Sequence, residues 1–91
     1  MTIWKFPLAT VDEQTIVMPI VNRPLTIQMQ NGQPCYWAIV DPASRNIRVT
    51  IRTFGTGHPG VADSMNYLGT YQLHERSLVF HVFADGWFES R

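Results

Sequence analysis

The string Gly55-Thr56-Gly57-His58-Pro59 has the local chemistry closest to a binding site. Its two glycines let backbone amides approach a ligand, and His58 adds a group that titrates near neutral pH. It is not a phosphate loop, because the Lys-Ser/Thr pair and the dinucleotide glycine spacing are missing and no helix pattern follows to hold an anion. The same glycines and proline also serve simply to shape a turn. His74 and His81 are separated by six residues, His58 is remote from both, and Cys35 has no nearby Cys or His, so neither a metal nor another cofactor is expected. Cys35 falls in a segment that reads as a buried strand, where a thiol is inert. Ser44, Ser64 and Ser77 have no nucleophile-elbow context. No catalytic residue is expected, and the chain reads as a non-enzyme.

Arg45, Arg48 and Arg52 are the second candidate group. Arg48 and Arg52 share one face of an alternating run, and no acid occurs between Asp41 and Asp63. Arginine forks suit phosphates, and a neighbouring aromatic such as Tyr36 could stack on a base, which gives a nucleic-acid reading. Charge on a solvated edge strand, where it discourages sheet-to-sheet pairing, is the alternative. Trp87 and Phe88, after Asp85-Gly86, form the third candidate. Large aromatics there either cap the core or anchor a partner.

These groups must be positioned by strands, since no segment keeps a 3.6-residue apolar period for three turns. The runs Ile3 to Phe6 and Gln14 to Met18 are closed by Pro7 and Pro19, and a proline favours an end or edge position. In Leu25 to Gln30 the alternation puts Leu25, Ile27 and Met29 on a core face. Asn31-Gly32 then predicts a type I′ hairpin turn. Cys35 to Val40 is apolar on both faces, so it is expected to be central and covered on both sides. In Ile47 to Phe54, residues Ile47, Val49 and Ile51 face inward and Arg48, Thr50 and Arg52 outward. After an irregular connection over 55–66, Tyr67 to Leu73 and Leu78 to Phe83 read as a final hairpin, with 84–91 as an extra strand or tail. The expected fold is all-β, a small antiparallel sandwich or partly open barrel of six to seven strands in one domain over 1–91.

Composition sets the outer limits. Hydrophobic residues make up 45% and aromatics 12% of the 91 residues, a globular rather than disordered balance. Seven basic and seven acidic side chains cancel, leaving no global field toward nucleic acid or anionic membrane and little repulsion between copies. A lone cysteine permits no internal disulfide, and no apolar stretch approaches a membrane span. A cytoplasmic protein with a protein partner, or a second copy of itself, is the expectation; nucleic acid comes second, a small ligand at Gly55 to His58 third, and membrane is not expected.

Several strings carry a resemblance: Ile3-Trp4-Lys5-Phe6-Pro7-Leu8, Gln30-Asn31-Gly32, Pro34-Cys35 followed by Trp37-Ala38, Val40-Asp41-Pro42, Gly55-Thr56-Gly57-His58-Pro59 and Val79-Phe80-His81-Val82-Phe83. Together the chain resembles a family of small phage and prophage proteins of unknown function. The resemblance implies a bacterial host cell as the setting and one compact domain, and it assigns no residue a role.

Overall fold

Two-residue alternation of apolar and polar side chains builds strands that each have one greasy face, and such faces are buried by stacking two sheets. A computed structural model describes residues 1–75 and 77–89, the last three by backbone only. The described residues form seven antiparallel strands and no helix: β1 (Thr2–Pro7), β2 (Glu13–Pro19), β3 (Asn22–Gln30), β4 (Gln33–Val40), β5 (Asn46–Gly55), β6 (Asn66–Leu73) and β7 (Leu78–Glu89). One sheet has the order β1-β4-β3 and the other β2-β5-β7-β6. The architecture is a small β-sandwich whose sheets do not close into a barrel.

Core residues come from both inner faces: Met18, Ile27, Tyr36, Ala38, Val40, Ile47, Val49, Ile51, Leu68, Tyr71 and Val82 pack with Leu8 from the β1–β2 connection. Burial pushes the Tyr36 phenol up to about 12. Burial also raises Tyr71, against a weaker lowering effect from its hydrogen bond to Thr10. The β3–β4 turn follows its sequence signature, with φ of 51° at Asn31 and 78° at Gly32. Pro7 and Pro19 end β1 and β2, and both are edge strands.

The sheets pinch together where β3 crosses β6. Gly69 makes this possible, because a Cβ there would stand 2.7 Å from both Cβ and Cγ1 of Ile27. Both strands are bulged, β3 between Pro24 and Thr26 and β6 between Tyr67 and Gly69. A bulge bends and twists an edge strand.

Four expectations are corrected. In β3 only Ile27 reaches the core, while Leu25 and Met29 are exposed; Leu25 is the extra residue of the bulge, and Met29 lies at the hairpin end. Strand β4 is central, but among the described residues no second layer covers its outward face: Cys35 is buried, whereas Trp37 and Ile39 are only half-buried. Strand β5 is not an edge, because β2 and β7 flank it. The segment from Ala84 to Glu89 is not a separate strand or tail, but a continuation of β7 that pairs with β5 beyond a bulge.

Candidate functional site

The three candidate groups, Arg45, Arg48 and Arg52, the string from Gly55 to Pro59, and Trp87 with Phe88, all lie on β5, in the segments flanking it, or on the stretch of β7 paired with it. Two clusters result. Arg45 precedes β5, Arg48 is exposed on it, and the backbones of Phe88 and Trp87 pair with Arg48 and Val49. The side chains of Trp87 and Phe88 lie outside the described part. Arg52 sits near the other end of β5, where the loop from Gly55 to His58 begins.

The arginine face does not present free charge. Arg52 Nη1 lies 3.7 Å from Glu13 Oε1 and 3.4 Å from Asp85 Oδ2. These acids come from β2 and β7, the strands on either side, and Glu13 is the direct register partner of Arg52. The guanidinium carbon also lies 5.4 Å from the centre of the Phe54 ring. Arg45 and Arg48 are likewise each engaged within the fold.

Beyond Arg52 the outward face of the four-stranded sheet is aromatic. Phe54 meets Phe83 edge-on at 5.8 Å, and Phe83 meets Tyr67 at 5.5 Å. Beside this row His81 lies between two threonines, with Nε2 2.8 Å from Thr56 Oγ1 and Nδ1 3.0 Å from Thr70 Oγ1. Thr70 Oγ1 in turn meets the Tyr67 hydroxyl. Both ring nitrogens are thus occupied by hydroxyl groups, which fixes the imidazole in the sheet surface. Sequence reasoning missed this chain, since its members are joined only by strand register.

At the Gly55 loop, the His58 N–H donates to the Gly55 carbonyl at 3.0 Å. Its ring packs so closely that a Cβ on Gly55 would stand 3.0 Å from the imidazole. A hollow of about 300 Å³ lies there, lined by Asp12, Arg52, Thr53, Phe54, His58 and Pro59. Arg52 and His58, which belong to separate candidate groups by sequence, therefore share a wall. Arg52 Nε and Thr53 Oγ1 are buried without a hydrogen-bond partner. A second hollow of about 380 Å³ adjoins His58 on the side of Thr56 and Phe80. Between the sheets, an apolar cleft of about 450 Å³ is lined by Met18, Tyr36, Val49 and Leu68 among others.

Edge strands supply the remaining surface. Ile3 and Trp4 of β1 are 60% and 39% exposed, and Val17 of β2 is 52% exposed. Trp4 starts an aromatic row that enters the core through Phe6, at 6.3 Å, and Tyr36, at a further 5.9 Å. Among the described residues, no three His, Cys, Asp or Glu side chains converge as a metal site. No helix there is long and apolar enough to cross a membrane.

A family model described as Domain of unknown function (DUF7352) matches residues 1–89, and so spans all seven strands. The chain belongs to this family. Comparison with curated proteins gives no match, and neither does comparison with solved structures. The match covers the whole described sandwich, and no residue role comes with it.

Proposed function

We propose that this DUF7352 domain is a non-enzymatic protein-binding or assembly module, acting in the cytoplasm of a bacterial host as a phage or prophage accessory protein. The observation that carries the reading is the exposed apolar side chains on the edge strands, above all Ile3 and Trp4. Aromatic side chains at a surface are the usual anchors of protein interfaces. Zero net charge supports it, since copies and neutral partners meet little repulsion. The phage setting rests on the resemblance of the sequence strings. The ion pairs of Arg52 with Glu13 and Asp85 weigh against the nucleic-acid alternative, because a phosphate would have to displace two carboxylates. The test combines light scattering over a concentration series with affinity recovery from infected-cell extract. Self-association or a stoichiometric protein partner is expected; a strict monomer that recovers no protein contradicts the reading.

One observation favours a second reading, a small polar ligand beside His58. The hollow there is walled by Arg52 and Thr53, each of which carries a buried polar atom without a partner, and bound polar groups relieve such atoms. Ligand-induced protection of the 55–60 amides, lost in His58→Ala, is the expected sign. Unchanged exchange across a polar-metabolite panel ends this reading.

A further inference from the structure

The four edges of this sandwich are not equivalent. Strands β3 and β6 are bulged and pack against each other, which protects them from pairing with another chain. Strands β1 and β2 run without a register shift. Of these two, β2 carries Glu13 and shows one large exposed apolar side chain, Val17. Strand β1 exposes both Ile3 and Trp4, and its one charge is drawn off the edge: Lys5 Nζ reaches back over the Trp37 ring, 5.8 Å from its centre, to Gln30 Oε1 at 2.6 Å. A lysine that commonly blocks an edge strand is here folded inward across its own sheet.

The backbone shows what that edge offers. The Leu8 N–H donates to the Pro34 carbonyl at 2.9 Å, in line with the register that pairs Thr2 with Val40 and Phe6 with Tyr36. Because antiparallel pairs alternate, the even-numbered residues of β1 turn their N–H and C=O groups toward β4. Ile3 and Lys5 therefore turn theirs outward, and Pro7, which has no N–H, ends the row.

We infer that β1 pairs antiparallel with β1 of a second copy, centred on Trp4, joining two three-stranded sheets into one of six. This rests on the protein-binding reading and names its partner and surface. Centring on Trp4 sets Ile3 opposite Lys5 of the other copy, so every outward amide at these positions finds a carbonyl. It also keeps the two lysines from facing each other, a pairing that centring on Lys5 would force. The two Trp4 side chains meet at the two-fold axis as a non-hydrogen-bonded pair, the closer of the two antiparallel spacings, and the aromatic row through Phe6 to Tyr36 becomes continuous between cores. A six-residue edge is small for an interface, so the dimer forms at high concentration.

The test uses sedimentation of the full chain over a concentration series, with circular dichroism melts to certify folding. Lys5→Pro removes an outward donor and none directed at β4, so it leaves the fold intact and weakens the dimer at least about tenfold; Ile3→Lys does the same by placing a charge on the edge. On oxidation, Trp4→Cys cross-links to itself, since the non-hydrogen-bonded spacing suits a disulfide and Cys35 is buried, whereas Val17→Cys on β2 does not. A cross-link at position 17 and not at 4, a dimer indifferent to both β1 substitutions, or a chain that stays monomeric overturns the inference. A monomer that binds a different protein overturns it while leaving the protein-binding reading in place; a monomer that binds none removes both.

Discussion

Replacing Gly69 by alanine adds one methyl group at the point where β6 presses on β3. That carbon would stand 2.7 Å from Cβ and Cγ1 of Ile27 and 3.0 Å from its backbone nitrogen. A relaxed carbon contact needs about 3.5–4.0 Å, so roughly 1 Å must be found. Rotating Ile27 does not supply it, because Cβ and the backbone nitrogen do not move with χ1. The strands themselves must separate, around a side chain that is only 4% exposed. Overpacking of this kind costs about 1–3 kcal/mol. In a domain of this length each kcal/mol lowers Tm by about 4–8 °C, so the variant should melt roughly 5–20 °C below the parent. Thermal and urea unfolding followed by circular dichroism measure it, with the urea slope unchanged if only native packing is altered. Adding Ile27→Ala, which removes one of the crowded carbons, should cost less in the alanine variant than in the parent. A Gly69→Ala protein that melts with the parent would refute the close approach of the two sheets.

Other expectations follow from buried polar groups and backbone geometry. Thr53→Val should stabilise the domain by about 1 kcal/mol, because a buried hydroxyl without a partner is replaced by a methyl of the same shape; a loss in urea melts would show that the hydroxyl is bonded. Tyr36 is held neutral in the fold up to about pH 12, while in the unfolded chain it ionises from about pH 10, so its contribution is complete below pH 10 and is lost as pH rises toward 12. Up to about 2.7 kcal/mol should disappear over that window, Tyr71 acts in the same direction, and Tyr36→Phe should flatten the fall seen in urea melts across alkaline pH. Glu75 has φ of 56° in the β6–β7 turn, so Glu75→Gly should raise stability by roughly 0.5–1 kcal/mol; a lower Tm contradicts that turn geometry.

Much of the fold was legible because its signals are local. Asn31-Gly32 marked its turn, Pro7 and Pro19 marked edge strands, and the alternation from Ile47 to Arg52 placed each side chain on its proper face. The errors arose where a neighbour decides the outcome. Pro24 and the following bulge turn Leu25 outward, which period-two counting cannot anticipate. The absence of acids between Asp41 and Asp63 suggested a bare arginine face, yet register brings Glu13 and Asp85 to Arg52 from strands distant in the chain. Strand β4 is apolar on both faces, but sheet order leaves its outward face to the side chains of its own sheet, as Lys5 over Trp37 shows. The chain from Thr56 through His81 and Thr70 to Tyr67 joins three separate segments and exists only once β6 and β7 are in register.

Amide hydrogen exchange along β1, measured at several protein concentrations, tests the interaction edge most directly. Trp4 and Phe6, whose N–H groups point to β4, should be protected at every concentration. Ile3 and Lys5 should exchange rapidly when dilute and slow as the protein is concentrated. Exchange at Ile3 and Lys5 that does not change with concentration would contradict pairing through that edge.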